Sequence, residues 1–210
     1  MIKNNESNWN AHWKNLNRSF LNKVFVFFRA NVIANDVAKS LDENFPHDGV
    51  FLDSGSGTSQ TSVKIPKRGR KFVAMDIADI IFHDQPKIVD YRVNGDVLRL
   101  PFRDNSLDGI WNVGLMEHFR QGELDVILNE FNRVLKRGGK AVLFWPPRYG
   151  PVALLIRFLS VFRMFPEEPS LIKSKRWVKG VVERNGFSLV DVKWPLRGAL
   201  IHHTVVIKNS

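Results

Sequence analysis

Cysteine is absent from all 210 residues, which excludes disulfides, thiolate metal sites and a cysteine nucleophile together. Long apolar runs are absent as well. Val24 to Phe28 and Val152 to Ile156 are apolar but short, and no uncharged stretch approaches the ~20 residues of a membrane-spanning helix. The Asn-rich, polar start lacks the charged, apolar and small-residue zones of a signal peptide. A cytoplasmic protein is therefore expected, and a reducing compartment is compatible with the missing cysteines. There is no internal repeat and no low-complexity tract. No His/Asp/Glu grouping has metal-ligand spacing, so no metal is expected.

Acid is the scarcer charge: 21 Asp and Glu stand against 31 Lys and Arg, a formal net charge of +10. The excess is uneven. Lys64, Lys67, Arg68, Arg70 and Lys71 crowd one link, while Arg148, Arg157, Arg163, Lys173, Lys175, Arg176 and Lys179 follow Pro146 with only Glu167 and Glu168 against them. Basic surfaces attract anionic substrates, phospholipid heads and nucleic acids alike, so charge alone leaves all three open.

What the chain does contain is an ordered alternation of strand and helix signals. Trp9, Trp13, Leu16, Phe20, Val24 and Phe27 recur at helical steps, and a second helix is expected from Asn31 to about Leu41. After Gly49, strands are expected at 50–53, 72–76, 91–95, 108–113 and 140–145. Helices are expected near 57–64, 78–84, 122–136 and 174–185, the third stopped by Gly138-Gly139. Phe187–Val192 and His203–Lys208 are joined by too short a link for a parallel return, so they should pair antiparallel. The derived architecture is α/β: a doubly wound, mostly parallel sheet closed by one antiparallel C-terminal strand, with an N-terminal helical cap.

Chemistry gathers at the strand ends. Val50-Phe51-Leu52-Asp53 runs into Ser54-Gly55-Ser56-Gly57-Thr58-Ser59, and 23 positions after Asp53 a second apolar run ends in Asp76. Two glycines let backbone approach a ligand, and an acid at the next strand tip accepts from ribose hydroxyls; such a unit holds a nucleoside. Asp96 follows the third strand, where a carboxylate can accept from an exocyclic amine. The nicotinamide-dehydrogenase fingerprint fails, because its third glycine would fall at Gln60.

Taken together these segments resemble class I S-adenosylmethionine-dependent methyltransferases of the small-molecule, type 11-like family. Leu52 to Gly57 is similar to that family's glycine motif, Asp76 to its ribose-binding acid, and Gly95 to Asp108 to its acidic loop. Ile110 to Phe119 is similar to the fourth-strand segment ending in Glu-His, and Leu135 to Leu143 to the turn into the fifth strand. Ser59 stands where the family often has a third glycine.

The resemblance implies a Rossmann-like domain over 47–210, an N-terminal helical extension over 1–46, and a substrate lid over 146–180. It implies that S-adenosyl-L-methionine is the cofactor, with Asp53, Gly55, Gly57, Ser59, Asp76, Ile77, Asp96, Val97 and Asn112 as cofactor-binding residues. The reaction it implies is in-line methyl transfer to a small molecule, and the apolar, arginine-punctuated stretch within 146–180 extends the expected acceptor to a small or lipid-linked one, apolar or anionic.

Displacement at a sulfonium depends on alignment first, with a base needed only for a weakly acidic nucleophile. His118, just past the fourth strand, is the candidate base, with Glu117 behind it. Trp145-Pro146-Pro147-Arg148-Tyr149 is read as a rigid turn into the lid. Val152 to Phe165, apolar with Arg157 and Arg163, could cover a pocket or lie on a membrane surface, so peripheral membrane contact stays open. Two alternatives also stay open: an RNA methyltransferase, disfavoured because no RNA-binding module is present, and a non-catalytic cofactor-binding regulator.

Overall fold

Valine, isoleucine and aromatic runs too apolar to face water on either side form the middle of the molecule. In a computed structural model, which describes residues 6–16, 29–146, 172–193 and 202–210, these runs are strands of one sheet. They are β1 (Asp48–Ser54), β2 (Gly69–Asp76), β3 (Tyr91–Asn94), β4 (Leu107–Val113), β5 (Leu135–Trp145), β6 (Phe187–Lys193) and β7 (His203–Asn209). Their order is β3-β2-β1-β4-β5-β7-β6. β1 to β5 pair in parallel, while β7 lies antiparallel between β5 and β6. This is the expected Rossmann-like sheet with its single reversed strand.

Strand alternation divides the core. Leu52, Ile110, Leu143 and Val205 face one way, toward Leu124 and Phe131 of α3 (Gln121–Val134) and Val178 of α4 (Lys175–Glu183). Phe51, Trp111, Val142 and Val206 face the other way, toward Val37 and Leu41 of α2 (Ala34–Asn44) and the adjoining Phe45. Aromatic rings dominate this second face: Phe45 stacks on Phe51 at 5.0 Å and Phe72 meets Trp111 edge-on at 5.5 Å. Gly109 makes that packing possible, because a Cβ there would come within 2.8 Å of Phe45 and 2.9 Å of Phe51.

Before α2 runs one π-helical turn, Arg29–Ile33, and before that α1 (Glu6–Leu16). The expected positions Phe20, Val24 and Phe27 lie outside the described residues, as do 147–171 of the expected lid and the Trp194-to-Gly198 turn. No helix among the described residues is long and apolar enough to cross a membrane.

Two expectations are corrected. Residues 57–64 do not form a helix; they form successive turns closed by Ser59 N–H to Ser56 O, Ser62 N–H to Ser59 O and Ile65 N–H to Ser62 O. Gly57 and Ser59 have φ of +50° and +51°, and the short Ser and Thr side chains compete for backbone groups, so a helical register cannot propagate. Gly138-Gly139 does not stop a helix either. α3 ends at Val134, and the pair sits within β5, where the β4 register shifts between Leu107 and Gly109. Gly138 at φ +73° absorbs that irregularity. The helix expected at 78–84 is present as a 3₁₀ helix, Asp79–Asp84.

The basic link is largely consumed by the fold. Arg70 is 1% exposed and donates to Asp42, Pro46 O, Pro66 O and Phe45 O. Arg68 adds a two-pronged pair to Asp42, and Lys67 and Lys71 meet Asp90. The Arg68 hydrogen bonds, with those of Arg70 and both positive charges behind them, outweigh burial and lower the Asp42 carboxyl to about 2.

Candidate active site

The order of the parallel strands sets the site. β1 lies between β2 and β4, so the direction of winding reverses there and a crevice opens at the carboxyl ends. A cavity occupies that crevice. Along it come Gly95, Asp96 and Val97 after β3, Met75, Asp76 and Ile77 at the end of β2, Gly55 and Gly57 after β1, and Val113 to Leu115, His118 and Phe119 after β4. Trp9 and Trp13 of α1 line it from across.

The loop after β1 is held by its neighbours. Ser56 N–H donates to Met75 O at 3.0 Å, which extends the pairing of β1 with β2. Gly57 N–H donates to Asp76 Oδ2 at 2.9 Å, and Ala78 N–H donates to Asp76 Oδ1 at 2.9 Å. Gln85 braces the loop, its amide donating to Ser56 Oγ and Gly57 O. At φ +66° and +50°, Gly55 and Gly57 turn the chain while leaving room. A Cβ on Gly55 would lie 2.6 Å from Leu115, and one on Gly57 2.8 Å from the Trp13 indole.

Asp76 is a buried carboxyl on the wall of the cavity. Burial pushes its carboxyl above the ordinary value, and the amides of Ala78, Gly57 and Ile77 only partly offset this. A carboxylate has about four acceptor directions, and with three backbone amides donating to it Asp76 keeps about one for a ligand. Asp96 spends Oδ1 on the Leu98 amide at 2.9 Å, which shapes its turn. Among the described residues, no Lys or Arg lines the cavity.

Six of the nine residues read as cofactor-binding line the cavity: Gly55, Gly57, Asp76, Ile77, Asp96 and Val97. Asp53 lies behind it, buried, with its Oδ2 accepting from Ser62 Oγ at 2.9 Å and so tying the turns of 56–65 to β1. Ser59 and Asn112 are buried as well, at 1% and 0% exposure, and neither lines the cavity. The Ser59 hydroxyl and both amide atoms of Asn112 have no protein partner. Buried polar groups are normally satisfied, so these atoms call for water or ligand.

His118 ends a 3₁₀ turn, Met116–His118, and its ring meets Trp9 edge-on at 5.2 Å. Glu117 beside it is buried, with its Oε1 3.3 Å from where a Gly114 Cβ would stand. Among the described residues, no group of His, Asp and Glu has an arrangement that could hold a metal ion. Sequence reasoning did not place Trp9, Trp13, Leu115 and Phe119 on this cavity. Helical periodicity put both tryptophans on one face of α1, but only the packing of α1 shows what that face meets. Asn10 holds it there, donating to Asp79 Oδ1 at 3.2 Å.

A family model described as a methyltransferase domain matches residues 52–143. A curated protein of Encephalitozoon cuniculi that carries a provisional methyltransferase name is 32% identical over 106 residues, which are 50% of this chain and 48% of that protein. The chain thus spans about half the length of that curated relative. The fold recurs in solved structures. Magnesium protoporphyrin IX methyltransferase of Synechocystis, solved with bound S-adenosylhomocysteine, superposes with a TM-score of 0.69 at 14% identity, covering 98% of this chain and 96% of its own. A 1,6-didemethyltoxoflavin-N1-methyltransferase of Burkholderia thailandensis does so with a TM-score of 0.65 at 14% identity, covering 96% and 87%.

Proposed function

We propose that this chain is an enzyme transferring a methyl group from S-adenosyl-L-methionine to a small-molecule acceptor, a reading supported by the match of residues 52–143 to a methyltransferase-domain family model. The observation that carries the proposal is the cavity where the winding of the sheet reverses: it has acids at two successive strand tips and a glycine loop beside them. The residues fit the cofactor. Its ribose hydroxyls need acceptors, which Asp76 retains, and its adenine needs apolar faces, which Ile77 and Val97 offer, with Asp96 to accept from the exocyclic amine. The glycines leave space that any Cβ would fill. The unpartnered Ser59 hydroxyl and Asn112 amide are polar atoms available to the polar end of the ligand, directly or through water.

Once bound, the cofactor supplies a methyl group already activated on a sulfonium. The chain then has only to position the acceptor and keep water away. Trp9, Trp13, Leu115 and Phe119 exclude water from the cavity after β4. His118, also lining that part, is the side chain placed to take a proton from an acceptor hydroxyl or ring nitrogen.

Titration calorimetry with S-adenosyl-L-methionine and S-adenosylhomocysteine tests the cofactor, and we expect one site per chain for each. Transfer of tritiated methyl into a small-molecule fraction of cell extract tests the reaction. Labelling confined to RNA would reject a small-molecule acceptor.

A further inference from the structure

Four exposed cations stand together at one end of the molecule: Lys173, Lys175, Arg176 and Lys179. Two contacts fix where that end is. Ile172 N–H donates to Pro146 O at 2.9 Å, just past the end of β5, and Trp177 of α4 meets Trp145, the last residue of β5, edge-on at 5.4 Å. The amino end of α4 therefore lies at the carboxyl end of the parallel strands, the end at which the cavity lies.

The placement of these cations runs against the stability of the helix. The amino end of a helix carries partial positive charge, so acids stabilise it and bases do the reverse. The first turn of α4 holds no acid, yet Lys175 and Arg176 occupy it and Lys173 precedes it. The backbone beneath them is nevertheless firm. Ser174 Oγ accepts from Trp177 N–H at 3.1 Å, and Val178, Val181 and Val182 bury the inner face. Among the described residues, Lys179 meets Glu183 at 3.7 Å, an exposed pair of small worth, and the Lys173 ammonium stands 5.7 Å from the centre of the Trp177 ring.

We propose that this patch is a docking surface for an anionic lipid bilayer, which it meets with the end of the sheet that bears the cavity. Charge complementarity selects the partner. A cluster of about four to eight Lys and Arg holds a protein on anionic lipid, each adding roughly fivefold to the partition. Nucleic-acid binding commonly engages about six to ten phosphates, more than the helical turn from Lys175 to Lys179, about 6 Å along its axis, can reach. The proposal depends on neither the cofactor nor the acceptor of the proposed reaction.

Sedimentation of the full chain with vesicles of phosphatidylcholine, alone or mixed with phosphatidylserine, tests it. We expect binding to the mixed vesicles at about 0.1 M salt, where charges act over about 10 Å, and its loss at about 1 M, where they act over about 3 Å. Lys175→Gln with Arg176→Gln should weaken that partition roughly 25-fold, two steps of about fivefold. Arg137→Gln with Lys208→Gln removes the same charge from exposed positions at the opposite end of the sheet, where Lys208 pairs with Lys140 early in β5. This second variant should lose less than about threefold, because screening confines the attraction to nearby charges. Melting temperature separates docking from a structural role: relieving the helix end should leave the first variant at least as stable as the unmodified chain.

Absence of binding to the mixed vesicles, equal binding to phosphatidylcholine alone, or equal losses in the two variants overturns the proposal. So does a first variant that melts lower than the unmodified chain. Tighter binding to a short single-stranded RNA than to the mixed vesicles at the same salt also overturns it, and would make the patch a nucleic-acid surface.

Discussion

Asp76 shows how one side chain serves both fold and ligand. Its two oxygens accept from Gly57 and Ala78, so it locks the glycine loop onto β2 before any ligand arrives. Replacing it with Asn keeps the shape but removes the charge and turns one acceptor into a donor. Hydrogen bonds to a charged group contribute about 1.5–3 kcal/mol, so Asp76→Asn should weaken S-adenosylhomocysteine roughly 10- to 150-fold by calorimetry. Burial raises the Asp76 pKa, and the ribose hydroxyls need the ionised form. Affinity should therefore begin to fall on acidification above 3.8, the usual aspartate value, and calorimetry across pH would follow it. This acid was legible in the sequence, because an apolar run ending in Asp at that spacing after a Gly-x-Gly loop has few other uses. The positions of Asp53 and Asn112 were not legible: their side chains lie behind the cavity, and side-chain direction depends on strand twist and on where the loop departs.

Among the elements, β7 opens on His203, which with the preceding His202 forms an acid-sensitive pair. Burial, with the charge of His203 behind it, lowers His202 to about 4, and burial lowers His203 too. A histidine with a depressed folded pKa binds its proton more readily when unfolded, so it favours unfolding as pH drops. The loss begins near 6.5, the unfolded value, and continues toward 4, at up to about 1.4 kcal/mol per pH unit for one such group. Asp42 acts separately: its folded pKa is depressed from 3.8 to about 2, so its contribution is present above 3.8 and disappears as pH falls toward 2. Asp76, with a raised pKa, has the opposite sign and partly offsets the histidines. Melting temperature should fall between pH 6.5 and 4, and His202→Phe should flatten that slope, with scanning calorimetry as the check.

The two elements misread from sequence share a cause. The turns at 57–65 and the glycine pair in β5 both follow strand or helix signals that are locally sound. In each case tertiary pairing decides: the loop is pulled toward Asp76 and Gln85, and Leu135 is drawn at once into the ladder opposite Leu107.

For the whole molecule, binding and stability are linked by mass action. S-Adenosylhomocysteine at a hundred times its dissociation constant stabilises the folded form by about 2.7 kcal/mol. For a domain of this size that is roughly 5–10 °C in melting temperature, measurable by thermal shift. An unchanged melting temperature at that concentration would mean the cavity does not hold the ligand.

The sequence alone determined the alternation of strands and helices, the single reversed strand and the acids at the strand tips. Each of these is written in local apolar periodicity, link length or turn chemistry. Tertiary structure decided the rest. It turned basic residues of 67–71 into ion pairs with Asp42 and Asp90, and it placed Trp13 over Gly57 and Trp9 against His118. Those outcomes depend on contacts between segments far apart in the chain, as between Trp13 and Gly57 or Asp42 and Arg70, and no local pattern encodes such distances.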